Sequence, residues 1–105
     1  MPVTEITSVT QFNEMIATGD CIVDFYATWC GPCRSISPYV EELSRQYPTI
    51  KFCRVDTSQV QTVAAFYQIR CIPTFYFFSN GIKMSQFSGA DRQKLNDMAM
   101  WAYYQ

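Results

Sequence analysis

Two spacings of apolar residues alternate along the chain, one helical and one compact and β-prone. Val3 to Ile6 reads as a short opening strand. Ser8-Val9-Thr10-Gln11 has capping-box spacing, Phe12, Met15 and Ile16 follow at helical intervals, and Gly19 supplies a stop, which predicts a first helix. Cys21 to Ala27 contains no breaker and predicts a buried strand. After Pro32, Ile36, Val40, Leu43 and Tyr47 recur at steps of four, three and four, the apolar stripe of a long helix that Pro48 closes. Pro38 lies inside that helix and is expected to kink it, because proline lacks the N–H and clashes one turn back.

Ile50 to Asp56 predicts a second buried strand. Ser58-Gln59-Val60-Gln61 repeats the capping-box spacing, and Val60, Val63, Ala64 and Tyr67 mark the apolar side of a third helix. Thr74 to Phe78 and Ile82 to Phe87 flank Asn80-Gly81, a strong hairpin signal because both turn residues accept positive φ. Asp91 is expected to cap a last helix whose apolar face carries Leu95, Met98, Ala99 and Ala102. Early strand–helix alternation predicts parallel pairing with crossover helices, and the hairpin adds antiparallel strands at one edge. The fold class is therefore α/β, a central mixed sheet with helices on both faces.

The 105 residues make one domain, and 49% hydrophobic residues exclude disorder as a description of the chain. A net charge of −1 implies no basic face for nucleic acid or anionic lipid. The longest apolar runs are too short to span a membrane, and Met1 to Glu5 show no export signal, so a cytoplasmic protein is expected. Histidine is absent, which excludes Ser–His and Cys–His nucleophile pairs and any His-containing metal site. The glycines form no phosphate-cradling loop. Cysteine chemistry remains.

An odd count of five cysteines argues against a secreted disulfide scaffold. Only Cys30 and Cys33 are close, within Trp29-Cys30-Gly31-Pro32-Cys33. Cys53 and Cys71 do not form the second close pair of a zinc ribbon, so no metal site is expected. The motif sits where a buried strand meets a long helix, and ligands gather at the carboxyl ends of parallel strands in such sheets. At a helix start, free N–H groups and the positive end of the dipole stabilise a Cys30 thiolate, the form that attacks disulfides. Cys33 lies one turn later on the same face, within bonding reach. Pro32 is tolerated in the first turn. Cys21 and Cys53 read as small core residues. On the residues alone Asp24 is either a desolvated carboxyl or a strand-end member of an ion pair. Trp29 is either core or a partner contact.

The run from Val23-Asp24-Phe25-Tyr26 through Cys33 resembles the active-site segment of the thioredoxin family. Ile72-Pro73-Thr74 and Phe87-Ser88-Gly89-Ala90 match two further family segments in the expected order, so the resemblance spans essentially the whole chain. It implies the thioredoxin fold, a mixed five-stranded sheet flanked by four helices, over residues 1–105. It implies a general protein disulfide reductant in which Cys30 attacks the substrate and Cys33 releases it. Asp24 would lie buried beneath the pair and assist proton removal from Cys33. Pro73 would be cis, with the Ile72 backbone pairing with the substrate. Trp29, Gly31, Pro32, Ile72 and Gly89 would form the docking surface.

Because no flavin or nicotinamide motif is present, no bound cofactor is expected and electrons come from outside. Thioredoxin reductase is the implied donor. Peroxiredoxins, methionine sulfoxide reductases and ribonucleotide reductase are the implied acceptors. The resemblance implies a monomer, with Cys71 either inert or linking two chains through a disulfide. An alternative function is a redox-gated binding module. Some positions depart from the family: Tyr26 replaces a frequent tryptophan, Arg34 a frequent lysine, and neither Ser37 nor Phe52 is the lysine often found near the aspartate. The aromatic tail Trp101-Ala102-Tyr103-Tyr104 is read as either helix core or an exposed patch.

Overall fold

A computed structural model describes Val3 to Gln105; Met1 and Pro2, part of the segment read for a leader, lie outside the described residues. Strands and helices follow in the order β1 (Val3–Ile6), α1 (Val9–Ala17), β2 (Asp20–Tyr26), α2 (Gly31–Gln46), β3 (Lys51–Asp56), α3 (Gln61–Phe66), β4 (Thr74–Ser79), β5 (Ile82–Ser88) and α4 (Arg92–Tyr103). The strands form one five-stranded sheet in the order β1-β3-β2-β4-β5. β1, β3 and β2 pair in parallel, whereas β4 pairs antiparallel with β2 and β5 antiparallel with β4. The expected mixed sheet and helix count are both present.

The period-two alternation of strands sorts the core into two layers. Ile22, Phe52, Phe75 and Phe77 point to the side covered by α2 and α4, where they meet Ile36, Val40, Leu43, Leu95, Met98 and Ala99. Val23, Phe25, Cys53, Val55 and Phe78 point to the opposite side and meet Phe12, Ile16 and Val63 of α1 and α3. β2 therefore lies mid-sheet with helices over both faces, and its carboxyl end opens at the start of α2. α2 runs through Pro38 without ending.

Two expected caps form. The Ser8 side chain accepts from the Gln11 N–H at 3.1 Å, and Asp91 accepts from the Lys94 N–H at 3.0 Å. Ser58 does not cap α3, which begins at Gln61 with Val60 in the cap position and no side-chain bond there. Asp56 wins the local competition: its Oδ1 accepts from the Ser58 N–H at 2.9 Å, and its carbonyl accepts from Gln59 and Val60 N–H groups. The hairpin turn has φ of +49° at Asn80 and +84° at Gly81, as Asn-Gly requires. Asn80 also bonds twice to Gly19, joining the hairpin tip to the turn before β2. In the tail, Ala102 is buried, whereas Trp101, Tyr103 and Tyr104 are all exposed, Trp101 touching Phe77 edge-on at 5.7 Å. Both readings of that segment hold in part.

Candidate active site

β2 ends at Tyr26 in the middle of the sheet, and the chain turns sharply into α2. The Cys30 N–H donates to the Ala27 carbonyl at 3.2 Å, which closes that turn. Cys30 then takes the cap position of α2, where its Sγ accepts from the Cys33 N–H at 3.1 Å. A sulfur in this position receives one of the unpaired N–H groups of the helix start. Cys30 and Cys33 are joined by a disulfide with their Cα atoms 5.3 Å apart, inside the usual bridging range. Both are nearly buried, yet Trp29 beside them is 71% exposed, and Gly31 and Pro32 are exposed as well.

A second loop meets this corner. The Ile72–Pro73 peptide is cis, and the Ile72 carbonyl oxygen lies 3.9 Å from Cys30 Sγ. Ile72 packs against Tyr26, Ala27, Cys30 and Cys33. Gly89, at φ +101°, donates its N–H to the Pro73 carbonyl at 2.8 Å and so ties the end of β5 to the same loop. Thus Trp29, Gly31, Pro32, Ile72, Pro73 and Gly89 gather around the disulfide. Pro73 itself is buried beneath this surface, while Cys71 is exposed two residues before it. Cys21 and Cys53 lie in the core with their sulfurs 3.8 Å apart. The bond to Cys21 and then burial push the Cys53 thiol well above its ordinary value.

Asp24 is 5% exposed, and its Oδ1 has no hydrogen-bond partner. Burial pushes its pKa up to about 7, against a smaller downward pull from Arg54 and a further upward push from Glu5. Asp24 and Cys33 line one cavity of about 250 Å³ together with Tyr26, Ala27, Thr28, Arg34, Ser37 and Arg54. Such a cavity, mostly apolar in its lining but holding several polar side chains, is large enough for water to bridge the carboxyl and the sulfur. Arg54 Nε lies 3.1 Å from Glu5 Oε1, an ion pair. Its guanidinium sits 3.9 Å from the Tyr26 ring centroid, and the Tyr26 hydroxyl donates to Glu5 at 2.8 Å. Burial and that bond push the Tyr26 phenol up to about 12. Sequence reasoning did not single out Glu5 or Arg54. The available signal was a charged residue between Phe52 and Asp56 at an inward-facing position of a strand read as buried.

The thioredoxin family model matches residues 3–100. The chain belongs to the thioredoxin family. It is 46% identical to the thioredoxin of Homo sapiens and 45% identical to that of Ovis aries, in each case over 89% of this chain and 91% of the relative. Among solved structures, Fasciola hepatica thioredoxin superposes with a TM-score of 0.91 at 34% identity, covering 94% of this chain and 98% of that one. Family and paired cysteines together make this protein a thiol–disulfide oxidoreductase that reduces disulfides through Cys30 and Cys33. No described helix is long and apolar enough to cross a membrane.

Proposed function

We propose that residues 1–105 act as one working domain in which Cys30 is the attacking sulfur, Cys33 the resolving sulfur and Asp24 the proton acceptor. The bond from the Cys33 N–H to Cys30 Sγ carries this reading, because the same donor stabilises negative charge on that sulfur when the pair is reduced. The Cys30 thiolate attacks a substrate disulfide, forms a mixed disulfide and expels the first substrate sulfur as a thiolate. Cys33 gives its proton to Asp24 through the shared cavity. The Cys33 thiolate then attacks Cys30 Sγ, breaks the mixed disulfide and expels the second substrate sulfur. The substrate gains two electrons, and Cys30–Cys33 becomes the disulfide.

Trp29, Gly31, Pro32, Ile72 and Gly89 form the docking surface in this reading, with Pro73 supporting it from beneath. An exposed Trp next to the reacting sulfur supports it, since aromatic residues dominate partner contacts. The Ile72 backbone pairs with the substrate chain and brings its disulfide to Cys30. Cys71, exposed beside this surface, links two chains when oxidant is present. Thioredoxin reductase supplies the electrons, and peroxiredoxins, methionine sulfoxide reductases or ribonucleotide reductase receive them. Three free cysteines suit a reducing compartment such as the cytoplasm.

Insulin-disulfide reduction, coupled to NADPH through added thioredoxin reductase, tests the assignment. The protein should turn over, Cys30→Ser should be inactive, and Cys33→Ser should accumulate a covalent complex with substrate. Full activity in Cys30→Ser would remove that residue from the chemistry.

A further inference from the structure

A second cavity, of about 160 Å³, lies between the loop that carries Ile72 and the end of β5, and the reaction described above does not use it. Gln68, Arg70, Cys71, Thr74, Gln86 and Ser88 are in its lining. Cys71 and Ser88 are the chain neighbours of Ile72 and Gly89, so the cavity borders the docking surface. Its hydroxyls are spent within the wall. Thr74 donates to the Cys71 carbonyl and is bonded to the Ser88 hydroxyl, and the Tyr76 hydroxyl donates to the Tyr67 carbonyl. Gln86 Oε1 accepts from Lys83 Nζ, which leaves the amide hydrogens of Gln86 to meet a ligand. Arg70 is exposed, and among the described residues its guanidinium has no ion-pair partner. The groups left free at this cavity are therefore donors: the Arg70 guanidinium and the amide N–H groups of Gln68 and Gln86.

We propose that this cavity is a subsite for an acidic side chain of the substrate, with Arg70 as the residue that recognises its carboxylate. The inference rests on the docking surface proposed above. Charge selects the occupant. Between Asp56 and Asp91 the chain carries no carboxylate and only two cations, Arg70 and Lys83. Both belong to this cavity: Arg70 is in its lining, and Lys83 Nζ sits 4.7 Å from the ring centroid of Tyr76, which forms part of the wall. The two flanking acids are turned to backbone, Asp56 accepting from the Ser58 N–H and Asp91 from the Lys94 N–H. A guanidinium presents paired N–H groups that match the two oxygens of a carboxylate. A basic side chain in the same place would meet two like charges. The Ile72 carbonyl oxygen lies 3.9 Å from Cys30 Sγ, so a substrate chain paired there has its cysteine at or beside that position. Alternate residues of an extended chain share one side, and Arg70 precedes Ile72 by two, which places the acid about two residues from the substrate cysteine.

Cystine-linked peptide dimers of a neutral host sequence test the subsite. Glu, Gln or Lys stands two residues before the cysteine in one series and two residues after it in the other. Single-turnover reduction by the pre-reduced full-length protein, quenched with acid and read by chromatography, gives a second-order rate constant for each peptide at low salt. In one series the Glu peptide should react about threefold faster than the Gln peptide, the size of a charge pair near the surface, and the Lys peptide more slowly than either. The ratio of Glu to Gln rates cancels any general change in the reactivity of Cys30. Arg70→Gln should bring that ratio to about one, Arg70→Lys should keep most of it, and Arg70→Glu should turn the preference toward Lys. Moving the Glu to six residues from the cysteine should also erase it. Equal Glu and Gln rates in both series, a ratio that survives Arg70→Gln, or a preference retained by the distant Glu would overturn the proposal. Trp29→Ala should slow all the peptides alike; if it slows none of them, the docking-surface reading fails instead.

Discussion

Replacing Asp24 by Asn keeps the shape of a protonated carboxyl and removes its ability to ionise. In the unfolded chain this group loses its proton near 3.8, whereas in the folded protein burial delays that loss to about 7. Between those values the folded state binds more protons than the unfolded state, so stability falls as pH rises. It is fully retained below about pH 4 and levels off at its lowest value above about pH 7. A gap of about three pH units corresponds to about 4 kcal/mol. Solvent screening takes little from this, because the carboxyl is almost completely buried. Urea denaturation of the oxidised protein and of Asp24→Asn at pH 4.5, 6, 7 and 8 measures the effect directly. The variant should be only about 1 kcal/mol more stable at pH 4.5 and about 4 kcal/mol more stable at pH 8. With an m-value of about 2 kcal/mol/M, that is a midpoint shift of about 2 M urea. A stability difference that does not change across the series would refute the burial argument, since only a titrating group makes it pH-dependent. The same variant should resolve mixed disulfides more slowly above pH 7, so stability and turnover should move in opposite directions.

Trp29→Ala should raise the KM for insulin about tenfold, the cost of losing one aromatic anchor of roughly 1–2 kcal/mol. Its thermal midpoint should barely move, because the side chain is largely exposed; a large stability loss would make it a core residue instead. Cys71→Ser should abolish the covalent dimer that peroxide produces, as seen on non-reducing gels, and persistence of that dimer would assign the link elsewhere. Asp91→Ala should cost about 1 kcal/mol in chemical denaturation through loss of the bond to the Lys94 N–H, with the insulin assay unchanged.

The sequence by itself determined whatever depends on a few consecutive residues. Ser8 and Asp91 cap helices because a short side-chain oxygen meets the third N–H of the turn that follows it. Asn80-Gly81 turns a hairpin because both residues tolerate positive φ. Cys30-Gly31-Pro32-Cys33 carries its chemistry within one helical turn, so spacing alone placed the two sulfurs within bonding reach. Ser58 marks where local reading stopped being sufficient, since a carboxylate two residues earlier competed for the same backbone.

Tertiary structure alone decided what surrounds the sulfurs. The cis-proline loop, some forty residues along the chain, reaches Cys30 only because β4 pairs against β2. Glu5, Arg54 and Asp24 form one row only because the sheet orders its strands β1-β3-β2 in a definite register. No periodicity encodes that register. It follows from burying two apolar faces at once, where a slip of one residue would turn every side chain of a strand to the wrong layer. The charge environment of Asp24 is thus a by-product of how the whole core packs, whereas the reactive pair is written in four adjacent letters.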